Sequence, residues 1–163
     1  MVKYMKRILL VICLVICMLT MTSCKKIETY SDMKTLTYEK MLSRSSVSPT
    51  GSYYIIIHRN GCAVCQAVMP YAVEYANLAK GNGKLDPIYS LNRSDKKNNS
   101  GLDQTNSEIK ENIGLGATNY ENIKLCSTPV LIKVTNGKVT KLIDKKSGIL
   151  SELKALIAKA KED

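Results

Sequence analysis

The chain has 163 residues, of which 45% are hydrophobic and 23% charged, and its formal net charge is +10. This length allows one domain with a hydrophobic core. The positive charge is spread over many lysines, without an arginine-rich or aromatic-interleaved stripe, so we expect no nucleic-acid binding. Such a charge suits a domain close to an anionic bilayer or cell wall.

The N-terminal segment combines a basic start, an apolar run and a cysteine. Lys3, Lys6 and Arg7 precede an uncharged apolar run of 12 residues, 8–19. This run is short for a membrane span, which needs ~20 residues, and is typical of a signal peptide. The Met-Thr-Ser that precedes Cys24 resembles the lipobox of bacterial lipoproteins, with methionine in place of the usual leucine.

This resemblance implies a signal peptide over residues 1–23, lipid on Cys24, and a location on the extracytoplasmic face of a bacterial cell membrane. The alternatives are an uncleaved signal anchor and ordinary secretory cleavage with Cys24 incidental. Three positive charges would leave with the signal peptide, so the net charge would fall from +10 to +7. Residues 24–30 would form a polar tether and residues 31–163 the folded domain.

Three of the six cysteines lie within the first 24 residues. The domain then holds Cys62, Cys65 and Cys126, which are too few for a disulfide scaffold. An oxidising location favours a disulfide between the close pair, with Cys126 left over. Cys126 is either a third redox thiol or a buried structural cysteine.

The first half of the domain is predicted to contain a helix, a strand and a second helix. An N-cap at 31–32 begins a short helix that ends near Ser43, and a loop follows. The apolar run 53–57 lacks alternation, as expected for a strand covered on both faces. A helix follows over 64–80, and Pro70 should kink it.

The second half is predicted to begin with a short strand over 87–91. The polar run 92–105 is typical of a flexible loop, and a helix is predicted over 107–113. A turn over 114–119 leads towards the last elements.

A hairpin and a helix are predicted at the end of the chain. The β-rich runs 130–135 and 138–143 flank Asn136-Gly137, which is a strong signal for a type I′ turn. Five apolar side chains at helical spacing between 149 and 160 indicate an amphipathic C-terminal helix.

The sequence Cys-Ala-Val-Cys over 62–65 lies at a strand-to-helix junction. The first turn of a helix has unpaired N–H groups and a positive dipole end, which favour a thiolate at Cys62. The thiolate is the form of cysteine that attacks disulfides. Two intervening residues let the sulfur of Cys65 reach back to Cys62, so the pair suits a disulfide that opens and closes.

Together these features resemble the thioredoxin family over roughly 31–161. The resemblance is carried by the CxxC pair after a hydrophobic strand, by Pro70 five residues after Cys65, and by Thr128-Pro129 directly before the hairpin. It implies an α/β thioredoxin-like fold with a central mixed sheet flanked by helices. It also implies a cis peptide bond at Pro129, packed against the redox pair, after an expanded polar loop. Residues 57–62 and that loop look similar to the bacteriocin-transport-accessory-like thioredoxin group.

The chain departs from thioredoxin around the cysteines. Thioredoxin has tryptophan before the first cysteine, Gly-Pro between the cysteines and a buried acid six residues before the first. This chain has Gly61, Ala63-Val64 and Ile56 at those positions. The resemblance therefore implies the fold and the dithiol chemistry, but neither the redox poise nor the acceptor of the Cys65 proton.

The same residues allow a zinc interpretation. His58 and Cys126 could join the CxxC pair as ligands, but the sequence lacks a second CxxC or a paired histidine motif, so we expect no metal. His58 is the one histidine of the chain. It could polarise the thiols from the end of the strand, or it could be an ordinary loop histidine.

We therefore expect a membrane-anchored thiol–disulfide oxidoreductase in which Cys62 attacks and Cys65 resolves. The resemblance implies that Thr128 and Pro129 present backbone to the substrate. The redox-active disulfide replaces any organic cofactor. The expected partners are protein thiols or disulfides and a membrane redox partner, and the chain itself is expected to be a monomer. The alternative is a non-catalytic surface lipoprotein that serves as a binding or bacteriocin-transport accessory module.

Overall fold

The structure is a computed structural model that describes residues 25–43, 50–98 and 111–162. These ranges contain four strands and two long helices: β1 (Ser52–His58), α1 (Ala63–Ala79), β2 (Ile88–Asn92), β3 (Val130–Thr135), β4 (Lys138–Ile143) and α2 (Lys146–Glu162). The predicted α/β class is confirmed. Within the described ranges, none of the helices has both the length and the apolar character that crossing a membrane requires.

The strands form one mixed sheet in the order β2-β1-β3-β4. β1 pairs in parallel with β2 and antiparallel with β3, so Ile57 lies between Leu91 and Val130. All seven residues of β1 are buried, as the absence of alternation in its sequence predicted. The central strand therefore ends, at His58, next to the start of α1.

Each face of the sheet carries its own hydrophobic cluster. Tyr54 and Ile56 belong to a cluster that includes buried residues of α1 and α2. Ile55 and Ile57 point the other way, because side chains alternate along a strand, and they join a cluster that includes Leu36 and Leu42. In the described part of the chain, the long helices thus cover one face, and short irregular segments cover the other.

The two C-terminal elements match the sequence prediction. Asn136 and Gly137 have φ of 50° and 75°, the left-handed values that a type I′ turn requires at both central positions. In α2, the side chains of Ile149 and Leu153 are fully buried, and Ile157 is 7% exposed. The helix packs this apolar stripe against α1 and the sheet.

The predicted helix over 31–43 is wrong. Two 3₁₀ turns occupy the segment, Tyr30–Asp32 and Tyr38–Lys40. Between them the backbone bonds to the sheet edge: Leu36 donates to the Ser90 carbonyl, and Ser90 donates to the Lys34 carbonyl, both at 2.9 Å. These edge bonds use the backbone groups that a helix would need.

Residues 25–30, predicted to be a tether, lie packed on the domain. Ile27 and Tyr30 are buried. The amide of Ile27 donates to Asn77 Oδ1 at 3.0 Å, and the Lys80 ammonium donates to the Lys25 carbonyl at 2.6 Å. The described chain is therefore docked from its first residues onward.

The first residues of the segment 92–105, which was predicted to be a flexible loop, form hydrogen bonds with the domain. Asn98 is 3% exposed, accepts the Tyr38 amide at 2.9 Å and donates to the Asn92 carbonyl at 2.8 Å. Residues 99–110 lie outside the described ranges, and with them most of the predicted 107–113 helix. Its last residue, Ile113, instead forms an antiparallel bridge with Lys124.

Candidate active site

The CxxC pair lies at the start of α1, as predicted. Gly61 has φ of 70°, a left-handed conformation that glycine adopts without steric cost, and it turns the chain from β1 towards the helix. Cys62 is the N-cap of α1 with extended backbone, and its sulfur accepts the Cys65 amide at 3.1 Å. The sequence folds this way because the apolar strand is followed, after two polar residues, by a glycine and then by a helix-forming run.

Cys62 and Cys65 form a disulfide, with Cα atoms 5.2 Å apart. Cys62 is 7% exposed and Cys65 only 2%. An incoming thiolate therefore has better access to the sulfur of Cys62. The predicted roles of attacking and resolving residue fit this difference in access.

Thr128 lies directly against the sulfur of Cys62. The Thr128 carbonyl oxygen is 3.6 Å from Cys62 Sγ, and the Thr128 hydroxyl is 3.8 Å from the same sulfur. The Thr128–Pro129 peptide bond is cis, as the resemblance implied, and leads into β3. Thr128 is half-buried and Pro129 is buried. The structure thus brings both residues beside the pair, and their contact with substrate stays a prediction.

His58 is part of the same neighbourhood, and the expectation of an ordinary loop histidine is wrong. It is the last residue of β1 and is 8% exposed. Its ring stacks on Tyr30, with centroids 4.2 Å apart and planes 16° apart. Burial lowers the pKa of His58 to about 4, so the imidazole is neutral at physiological pH.

Tyr30 connects this stack to the redox pair. Its hydroxyl donates to the Cys65 carbonyl at 2.9 Å, and burial raises the pKa of the phenol above its ordinary value. Tyr30 is not among the site residues that the sequence predicts, because the sequence pattern places it in the tether. The contact joins residues 35 positions apart, and the only signal for it was one aromatic side chain in a polar stretch.

A cavity of about 600 Å³ lies on the Cys65 side of the disulfide. Tyr30, His58 and Cys65 line it, together with Met69, and the exposed Arg59 contributes to it. A cavity of this volume with polar lining groups can hold water. The Cys62–Cys65 disulfide is therefore bordered by Thr128 at Cys62 and by a cavity at Cys65.

Cys126 is a free, exposed cysteine, so the prediction of a buried structural cysteine is wrong. Its backbone amide donates to Asn112 Oδ1 at 2.8 Å, and the Ser127 amide donates to the same oxygen at 3.2 Å. Asn112 thereby orders the segment that leads into Thr128. A redox role for Cys126 stays a prediction.

The zinc interpretation has no geometric counterpart in the described part of the chain. The sulfurs of Cys62 and Cys65 are bonded to each other, and His58 is stacked on Tyr30. Among the described residues, no three His, Cys, Asp or Glu side chains are grouped so that they could hold a metal ion. Cys24, the predicted lipidation site, lies outside the described residues, so its modification stays a prediction.

The four-stranded mixed sheet flanked by helices, with the disulfide at the start of α1, decides the fold. The fold is thioredoxin-like. No protein-family model and no curated protein matches this chain. The fold was therefore recognisable from the spacing of the motifs and from the topology, and not from overall sequence similarity.

Several solved structures are similar to the thioredoxin-like domain at low identity. The long form of thioredoxin f from spinach chloroplast is 11% identical, with a TM-score of 0.47 over 78% of this chain and 85% of that one. Thioredoxin from Malassezia sympodialis is 12% identical, with a TM-score of 0.49 over 78% and 90%. A chain of the complex of ferredoxin:thioredoxin reductase with thioredoxin f2 is 12% identical, with a TM-score of 0.48 over 75% and 92%. Values this low assign neither activity nor partners.

Proposed function

We propose that this protein is a thiol–disulfide oxidoreductase that acts on protein substrates. One observation carries the proposal: a disulfide at the N-cap of α1, whose Cys62 sulfur accepts the Cys65 amide and contacts Thr128. A helix start stabilises the thiolate that would form there, because its N–H groups and dipole favour negative charge. No other group is needed, since the cysteine pair itself carries two electrons.

The reaction proceeds in two exchanges. In the reducing direction, the Cys62 thiolate attacks a substrate disulfide, forms a mixed disulfide and releases one substrate thiolate. The Cys65 thiolate then attacks Cys62, so the mixed disulfide breaks and the second substrate thiolate leaves. The substrate gains two electrons, and the protein ends with the Cys62–Cys65 disulfide. Running both steps backwards oxidises a substrate dithiol.

Thr128 and Pro129 are proposed to hold the substrate beside Cys62. The half-buried Thr128 lies next to the sulfur and can offer its backbone to an extended peptide. Val64, which lies two residues after Cys62 and is 41% exposed, adds an apolar contact surface on the helix side. These contacts depend little on the substrate side chains, which suits an enzyme that recognises cysteines in different proteins.

We place this activity at the extracytoplasmic surface of a bacterial cell membrane, with lipid on Cys24 and a membrane redox partner. The basic, apolar and lipobox-like order of residues 1–24 supports this placement. Mass spectrometry of the mature N-terminus tests it: the expected product begins at lipid-modified Cys24, and Cys24→Ser should leave the signal uncleaved. An intact or unmodified N-terminus in the wild type would contradict the anchor.

An insulin-reduction assay and a scrambled-ribonuclease assay on the purified full chain test the catalytic proposal. Wild-type protein should be active, Cys62→Ser should lose nearly all activity, and Cys126→Ser should keep it as the matched cysteine control. An inactive wild type would favour a non-catalytic role as a binding or bacteriocin-transport accessory module.

The reduction potential of the Cys62–Cys65 pair decides the direction of electron flow. A value near about −120 mV is that of a strong oxidant, whereas about −270 mV is that of a reductant. Equilibration of the protein with glutathione or dithiothreitol buffers, followed by quantification of free thiols, measures it.

A further inference from the structure

We propose that His58 accepts the proton of Cys65 when Cys65 resolves the mixed disulfide, acting across the cavity that both residues line. This inference rests on the proposed function and names the group that makes the second exchange possible. The sequence offered no acid in the preceding strand for this step.

The sheet geometry places His58 on the correct side. Side chains alternate along β1, so His58 shares its face with Tyr54 and Ile56, which pack in the same cluster as Cys65. The Tyr30 ring, stacked on His58, donates its hydroxyl to the Cys65 carbonyl. This stack fixes the position of the imidazole relative to the start of α1.

Cys65 requires a local acceptor because it is nearly closed to bulk solvent, at 2% exposure. The other titratable or charged side chains that line the cavity are Tyr30, Arg59 and Asp95. The Tyr30 hydroxyl is already donating, an arginine has no free proton-accepting site, and Asp95 is exposed.

Within the part of the chain that the structure describes, the His58 ring has an unbonded nitrogen. A neutral imidazole carries one donor and one acceptor nitrogen, and no described residue makes a hydrogen bond to the ring nitrogens of His58. Burial lowers the pKa of His58 and thereby keeps the ring uncharged at neutral pH, although it also makes the ring a weaker base. The negative charge that develops on Cys65 would in turn favour the protonated ring.

The proposed step transfers one proton and exchanges one disulfide for another. The Cys65 thiol proton moves through water in the cavity to an imidazole nitrogen of His58. The Cys65 sulfur attacks the Cys62 sulfur, the bond between Cys62 and the substrate breaks, and the substrate leaves as a thiolate. His58 then returns its proton to solvent, so the ring is unchanged after each turnover.

Two-phase kinetics with dithio-bis-nitrobenzoate isolate this step. The reagent releases one coloured thiolate when Cys62 of the reduced protein attacks it. It releases a second when Cys65 resolves the mixed disulfide between Cys62 and the reagent. The measurement uses a background in which Cys13, Cys17, Cys24 and Cys126 are all replaced by serine, because each of these thiols would release further coloured thiolate. His58→Phe keeps a ring against Tyr30 and removes both nitrogens.

With His58→Phe, we expect the second release at neutral pH to slow by at least about tenfold, since a positioned proton acceptor contributes ~10²–10⁴ in rate. The first release should change by less than about twofold. In His58→Phe, the rate of the second release should also rise more steeply with pH than in the protein that keeps His58, because hydroxide becomes the proton acceptor. An unchanged second phase, or equal slowing of both phases, would overturn the proposal.

Two further measurements separate proton transfer from packing. In His58→Ala, added imidazole should restore the second release, whereas a folded variant without rescue contradicts the role. In the wild type, expressed without a histidine tag, the single His58 ring signal should titrate differently by NMR in the oxidised and reduced states. Identical titrations would also contradict it. The insulin assay of the wild type judges the proposed function independently of all three results.

Discussion

At the scale of single residues, the two cysteines of one disulfide have different surroundings. Cys62 caps the helix, receives an N–H and faces Thr128 and the exterior. Cys65 lies inside the first turn, with its carbonyl bonded to Tyr30. An exchange reaction needs this asymmetry, because one sulfur must meet the substrate while the other waits for the intramolecular attack.

We expect iodoacetamide to alkylate Cys62 well before Cys65 in the reduced protein. The reason is twofold: Cys62 is more exposed, and the helix start stabilises its thiolate. A time course with peptide mapping by mass spectrometry measures both rates, and the exposed Cys126 serves as an internal reference for an accessible thiol. Equal or reversed rates for the pair would contradict the assigned roles.

The sequence predicted the disulfide pair and the cis-proline beside it, but not the contacts that surround them. The CxxC pair and Thr128-Pro129 are local motifs, so their spacing was visible in the chain. The stack of His58 on Tyr30 joins two segments that are far apart in sequence, and only the folded sheet brings them together. For the same reason, the exposure of Cys126 could not be read from its neighbours.

Among the structural elements, the left-handed glycine of the β3–β4 turn can be compared with Gly83, a glycine in the loop between α1 and β2. Gly137→Ala should lower the free energy of unfolding by about 1–2 kcal/mol, because φ of 75° costs an L-residue that much. Gly83→Ala should be neutral or stabilising by up to about 1 kcal/mol, since Gly83 is not left-handed and a Cβ there has nothing within 4 Å.

Urea denaturation of the two oxidised variants measures the difference. If Gly83→Ala proves as costly as Gly137→Ala, the left-handed turn is not the cause and the type I′ assignment fails.

Strong local signals explain which elements were predictable. The unbroken apolar run of β1, the Asn-Gly turn and the periodic face of α2 each specify one structure within a few residues. The segment 31–43 carried helical spacing, but its backbone bonds to Ser90 at the edge of β2, and its side chains cover both faces of the sheet. That tertiary competition overrides a weak local preference.

At the scale of the whole molecule, Cys65→Ser should trap substrates as mixed disulfides on Cys62. The intramolecular thiol normally resolves these species because its effective concentration is very high. Non-reducing gels of membranes from cells that express each variant should show thiol-sensitive adducts for Cys65→Ser and few for Cys62→Ser.

Cys126→Ser provides the control and should resemble the wild type. If Cys126→Ser accumulates adducts while Cys65→Ser does not, then Cys126 is the resolving residue and the pairing proposed above is wrong.

The docking of residues 25–27 on α1 limits how far Cys62 can reach from the membrane. One extended residue spans at most ~3.6 Å, so an anchor at Cys24 would hold the domain directly on the bilayer, without a flexible leash. The volume accessible to Cys62 would then be a thin layer above the lipid headgroups. Proteins captured by Cys65→Ser should accordingly be embedded in that membrane or emerging from it. Adducts with freely secreted proteins would argue against an anchor that lacks a flexible linker.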